Sequence, residues 1–227
     1  MAVTAQTIID KAAKQLLDLN SLKWTRAELL SWLNDGLRQI VLMQPNATNT
    51  PGAVQLVAGT RQTLPTGGWM LLGIYRNMGT TGSTPGRAVR IISRELLDAF
   101  NPNWHTATAS TTTTNYIYDL QDQTAYYVYP PSPGTNYLEI NYSMQPTSLT
   151  SESQTIPMFD IYQGPLLDYI LFRACTKNVE YAPGMALGQM YLATFTAATS
   201  VKEQSETKGT PELALLPRNP SLPGSMS

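Results

Sequence analysis

Residues 24–45 read WTRAELLSWLNDGLRQIVLMQP, and this stretch marks a helix start, a buried face and a helix stop from its own residues. Thr25 stands at the cap position with Glu28 three residues on, the spacing of a reciprocal capping box. Trp24 before the cap and Leu29 at the fourth helical position form the pair that closes a hydrophobic staple. Leu29, Leu30, Leu33, Leu37, Ile40 and Val41 recur at helical spacing, with Arg26, Ser31, Asn34, Arg38 and Gln39 on other faces, which predicts an amphipathic helix ended by Pro45. Gly36 in its middle costs about 1 kcal/mol against alanine. It reads either as a close backbone approach or as a tolerated accident.

Upstream, Ile8, Ile9, Ala12, Ala13, Leu16 and Leu17 make a second stripe behind a capping Thr4, and Asn20-Ser21 breaks it, so the chain opens on an antiparallel helical hairpin. Beyond Pro45 the texture changes to Asn, Thr, Pro and Gly and then to short β-type runs. Strands are expected at 54–58, 61–64, 70–78, 87–92, 116–120, 125–129 and 137–144, with Gly59-Thr60 as a hairpin turn and 130–136 as another turn. A short helix capped by Ser93 is expected over 94–100, and 105–115, almost all Thr, Ala and Ser, as an exposed loop or edge. After a polar connector, Gly164-Pro165 opens a helix with Leu166, Leu167, Ile170, Leu171, Ala174 and Cys175 inward. Pro183-Gly184 turns the chain into a last helix, where Leu187, Met190, Tyr191, Thr194, Phe195, Ala198 and Val201 recur at three- and four-residue steps.

The expected fold is α+β. N- and C-terminal helical hairpins form a four-helix bundle from residues 1–50 and 158–206. A small antiparallel β-sandwich or barrel, 51–145, is inserted between them, 146–157 is a connector, and 207–227 is an extended Pro-rich tail. Such a tail cannot pack on itself, yet Pro211, Leu213, Leu215, Leu216 and Pro217 are apolar enough to seek a surface, either on their own domain or on a partner.

With 227 residues and 42% hydrophobic composition the chain can build a sizeable core. No apolar run approaches the roughly 20 residues that cross a bilayer, and Asp10 and Lys11 interrupt the N-terminus, so a soluble protein made in the cytoplasm, without a membrane partner, is expected. One cysteine, Cys175, excludes an internal disulfide, and with one histidine, His105, Cys/His zinc sites lack ligands. The net charge of −1 hides a segregation. Residues 1–94 hold ten Lys/Arg against four acids, whereas residues 95–172 hold eight acids and no cation. A segment without cations is a poor grip for a phosphate backbone.

No Gly-rich phosphate loop, GxSxG, HExxH or calcium-loop pattern is present, so no catalytic, cofactor or metal residues are assigned. His105 reads as a surface histidine and Cys175 as a structural thiol on an apolar stripe. Tyr116, Tyr118, Tyr126, Tyr127, Tyr129, Tyr137 and Tyr142 crowd the later strands, where packing or a protein interface outweighs stacking on sugars or bases. Asp119 and Asp122 flank a turn, where Asp is common. Carboxylate pairs of the glycosidase type are spatial rather than sequential, so a carbohydrate- or peptidoglycan-cleaving enzyme using Asp119, Asp122 and Glu139 stands as the alternative reading.

The layout resembles the head-to-tail adaptor, or tail tubular protein A-like, family of short-tailed bacteriophages. The Trp-Thr-x-x-Glu-Leu start, WLNDG and IVLMQP of the first hairpin carry the resemblance, with LLDYILFRAC (166–175) and APGMALGQMYLATF (182–195) of the late helices. The resemblance implies a structural, non-enzymatic virion protein at the head-tail junction. It implies a ring of twelve copies between the portal protein and the nozzle or tail hub, with DNA passing through its lumen unbound. It supplies no active site and no cofactor. On this reading the acids Asp119, Asp122 and Glu139 are expected to face the lumen, and the segment 211–217 to dock on the portal.

Overall fold

A computed structural model describes residues 3–119, 121–177 and 182–209. The fold is α+β: α1 (Ala5–Gln15), α2 (Arg26–Met43), α3 (Arg94–Phe100), α4 (Gln163–Lys177) and α5 (Ala182–Gly209), with strands β1 (Asn49–Gln55), β2 (Ala58–Thr63), β3 (Gly68–Asn77), β4 (Arg90–Ile91), β5 (Asn115–Tyr118), β6 (Ala125–Pro133) and β7 (Tyr137–Met144). The chain divides into two units, Met1–Ala5 with Asn34–Asp160, and Gln6–Leu33 with Ile161–Ser227; α2 contributes to both.

In the β unit the strands pair as two separate sheets, β1-β7-β3 and β2-β6-β5-β4. All ladders are antiparallel except β4 with β5, which is parallel. Alternation places Leu138, Ile140 and Tyr142 of β7 on one face, where they join Leu71 and Ile74 of β3 and Tyr126 and Val128 of β6 in one buried cluster. Leu97, Trp104 and Ile117 form a smaller cluster.

Three expectations for the strands are corrected. Residues 54–64 do not form a hairpin: β1 pairs with β7 and β2 with β6. The crossover between them is satisfied by a side chain, because the buried Gln62 carboxamide accepts from Val57 N at 2.7 Å and donates to Val57 O at 2.9 Å and Gly59 O at 3.1 Å. Gly59, at φ +105°, marks a bulge within β2 instead of a turn. The 130–136 segment is strand as far as Pro133, since the β2 register breaks between Gly59 and Arg61 and β5 pairs no further than Tyr129, so no ladder donor is required at Pro130 or Pro131. The 105–115 run is not wholly exposed. Asn77 Nδ2 donates to Arg87 O and Thr113 O, and its Oδ1 accepts from Thr113 N, all at 2.8 Å, which draws Thr113 fully inside.

Within the same unit, Asn34 clamps the connector: its side chain donates to Leu149 O at 2.9 Å and accepts from Leu149 N at 2.7 Å. Arg38 adds a bond to Ser148 Oγ at 2.9 Å.

In the helical unit, the Thr25 hydroxyl accepts from Glu28 N at 3.3 Å, and Leu29 is buried. The Glu28 carboxylate is engaged by Lys177 of α4. Arg26 pairs with Asp10 at 2.7 Å and Lys11 donates to Gln163 at 3.1 Å, so charged links tie α1 to α2 and α4. Leu17 leaves the expected stripe: α1 stops at Gln15, and Leu17 takes a left-handed φ of 54° and lies 91% exposed. The loop that follows is built on Asp18, whose carboxylate accepts from Leu22 N, Lys23 N and Trp24 N at 2.8–2.9 Å.

The inner face of α5 also differs from expectation. Gly184, Gly188, Phe195 and Thr199 are its buried positions among the residues whose burial is described, 184–200, whereas Leu187 and Met190 are exposed. The cause is close approach to α4: a Cβ on Gly188 would sit 3.2 Å from the Cys175 and Thr176 side chains. Phe195, about two turns further on, packs against Tyr169, ring centroids 5.3 Å apart.

Two measurements follow from this packing. The Tyr126 hydroxyl lies in the main cluster with no protein partner among the described residues, so Tyr126→Phe should raise the unfolding free energy by about 1 kcal/mol in urea titration; a loss of that size would contradict it. The amides of Trp24, Leu22 and Lys23 hold the Asp18 carboxyl below the ordinary carboxylate range. A depressed folded value means that the loop's stabilisation is present above pH about 4 and lost as the pH falls through the folded value. Amide signals of residues 22–24 should therefore shift together below pH 4 in the native chain and not in Asp18→Asn; unchanged native signals down to pH 2 would contradict this.

Candidate functional site

The charge segregation along the sequence is offset in part by the fold. Arg61 of β2 reaches Asp122 in the β5–β6 turn at 3.2 Å, Arg76 of β3 pairs with Glu139 of β7, and Arg94 of α3 lies 3.7 Å from Asp98. The Thr124 hydroxyl and Arg61 together hold the Asp122 carboxyl below its usual range. Asp119 accepts from Gln121 N at 2.9 Å, closing the turn. The three acids singled out from the sequence thus occupy two different places. Asp119 and Asp122 belong to one turn of the four-stranded sheet, and Glu139 to the central strand of the other. Two of the three already hold an arginine. Such an arrangement balances charge at Asp122 and Glu139 and leaves Glu139 in a different sheet from the other two acids.

His105 is not a free imidazole. It stacks on Trp104 with ring centroids 3.6 Å apart, its Nδ1 lies 2.9 Å from Thr60 Oγ1, and Tyr127 meets it edge-on. Trp104 is buried and donates from Nε1 to Asp98 at 2.7 Å. This cluster anchors α3 and the following turn to β6. Its signal in the sequence was a lone Trp beside the lone His in a polar run. The tyrosines are structural in the same sense: burial pushes the Tyr116 and Tyr118 hydroxyls up, Tyr118 donates to Gln123 O at 3.1 Å, and Tyr137 to Gln55 at 3.0 Å. Cys175 is half-buried beside Gly188, and burial raises its thiol, the direction that disfavours a nucleophilic thiolate. Among the described residues no three His, Cys, Asp or Glu gather as metal ligands, and no helix is long and apolar enough to cross a membrane.

What the described residues offer is surface. The loop after α1 displays Leu17, Leu19 and Leu22 at 91%, 68% and 87% exposure. In the β unit an open cavity of about 360 Å³ is lined by residues 47–50, 144–147 and 157–159, with Phe159 exposed at its edge. Neither was singled out from the sequence, where only Leu17 was read, as part of the first helix stripe, and only 146–157 of the cavity lining fell in the connector. Pro211, Leu213, Leu215, Leu216 and Pro217 lie outside the described residues.

No individual curated protein matches the sequence. A family model does, over residues 3–214, nearly the whole chain. The protein belongs to the SU10 adaptor protein family, structural head-tail adaptors of phage virions.

Proposed function

We propose that the protein is the connector ring of a phage head-tail junction: twelve copies side by side around a hole, joined to the portal protein on one side and to the nozzle or tail hub on the other. Family membership carries this reading. A closed cyclic assembly of more than two subunits must use heterologous contacts, in which one face of a copy meets a different face of the next. In this reading the helical hairpins from 1–50 and 158–206 form the bundle that stands beside its neighbours. The β domain, 51–145, precedes the connector 146–157, and the tail, 207–227, docks on the portal through Pro211, Leu213, Leu215, Leu216 and Pro217.

DNA passes through the lumen without being gripped. Asp119, Asp122 and Glu139 face it, and their part is to occupy arginines as much as to repel phosphate. Arg61 and Arg76 each hold a carboxylate, and an arginine so engaged has less to offer a passing phosphate. Nothing in the geometry favours the glycan-cleaving alternative, whose acids would have to converge.

Deleting 211–227 should abolish co-purification with the portal protein and leave the melting temperature within a few degrees; undiminished portal binding would refute tail docking. Replacing Asp122→Asn together with Glu139→Gln frees both arginines. The double variant should retain duplex DNA at low salt at least tenfold more tightly than the native chain, with a steeper salt dependence; equal retention would refute the masking role.

A further inference from the structure

Residues 218–223 read RNPSLP and follow the segment assigned above to the portal. Pro217, Pro220 and Pro223 recur every third residue, the period of a polyproline II helix, so in that conformation they share one edge of the chain. Such a helix makes no hydrogen bonds within itself, and its carbonyls take donors from elsewhere. Proline also fixes φ in advance, so the segment loses little freedom when it seats on a surface. The surfaces that take such segments are aromatic-lined grooves.

The β unit carries a groove of that kind. A cavity of about 440 Å³, within the size range of ligand pockets, has Val41 and Leu42 of α2, Trp69 of β3 and Pro146 as its apolar walls. Trp69 is held in place, because its Nε1 donates to Ser143 Oγ at 2.8 Å. Leu42, on the last turn of α2, is 66% exposed. Donors stand on the same walls. The Gln145 carboxamide makes no hydrogen bond among the described residues, and Arg38, bonded to Asp35 and Ser148, has further N–H groups to give. We infer that Pro220 and Pro223 of one copy seat against Trp69 and Leu42 of the next copy, with Gln145 and Arg38 donating to the carbonyls of 218–223. Every copy carries one such segment and one such groove, and the two surfaces differ, as the heterologous contact of a closed ring demands. The inference rests on the ring reading above. It leaves 211–217 to the portal and makes 218–223 an arm by which each copy holds its neighbour.

The test uses full-length Cys175→Ser protein carrying Leu42→Cys and Ser221→Cys, mixed with the portal protein of the same phage and mildly oxidised. A disulfide ladder rising from dimer to the closed ring on non-reducing gels supports the arm, provided that neither single-cysteine variant gives it. Ring-sized particles by mass photometry without a ladder overturn the arm and leave the ring reading standing. A disulfide formed only within single chains, seen as a faster-running monomer, overturns the arm in the same way, whereas monomers alone under every condition overturn both. As a second measurement, a fluorescent peptide of residues 216–224 should bind the full-length chain. Its affinity should fall at least tenfold when the peptide carries Pro220→Ala with Pro223→Ala, or when the chain carries Leu42→Glu, a change at an exposed position that leaves the core intact. Equal binding of the alanine peptide, or no binding at millimolar concentration, overturns the inference.

Discussion

The β unit depends on one strand that is paired on both sides. Tyr137–Met144 lies between β1 and β3 in its sheet, and its period-two alternation places Leu138 and Ile140, both fully buried, and Tyr142 in the main cluster. A one-residue slip would carry all three out of the core and bring Glu139 and Asn141 in, at a cost of several kcal/mol for the apolar area lost alone. The register therefore locks Arg76 opposite Glu139 at the same time as it locks the core. Packing and charge balance are set by the same ladder.

The elements legible in the sequence are those whose ends are written locally. The Thr25 cap and Pro45 bracket α2, Ser93 caps α3 by accepting from Leu96 N, and the alternating run 137–144 is β7. What escaped was long-range and carried by single polar side chains. Asn34 finds Leu149 across 115 residues and Asn77 finds Thr113 across 36, and an asparagine has no neighbouring residue that announces such a partner. Gln62 failed in another way, because the Gly-Thr pair beside it is a sound hairpin signal that the crossover overrode. On α5 the rule that large apolar side chains turn inward gave way to glycine: close approach at Gly188 rotated Leu187 and Met190 to the surface. For the site, sequence alone displayed a cation-free segment, and only the fold revealed that two of its acids, Asp122 and Glu139, hold arginines supplied from earlier strands.

These observations bear on what kind of protein this is. Here the one histidine is stacked and hydrogen-bonded, the cysteine is half-buried against a helix, and two of the three singled-out acids are neutralised. The irregular features sit at the surface instead, in a strained leucine tip and an open apolar cavity.

The central claim, that copies of this chain close a ring on the portal, is tested most directly by cryo-electron microscopy of the protein bound to the portal protein of its own phage. The account predicts a single closed ring coaxial with the portal, in which every copy meets two neighbours through two different faces and the hole is wide enough for duplex DNA. Isolated copies attached around the portal without touching one another, or copies meeting through one self-complementary face, would contradict it.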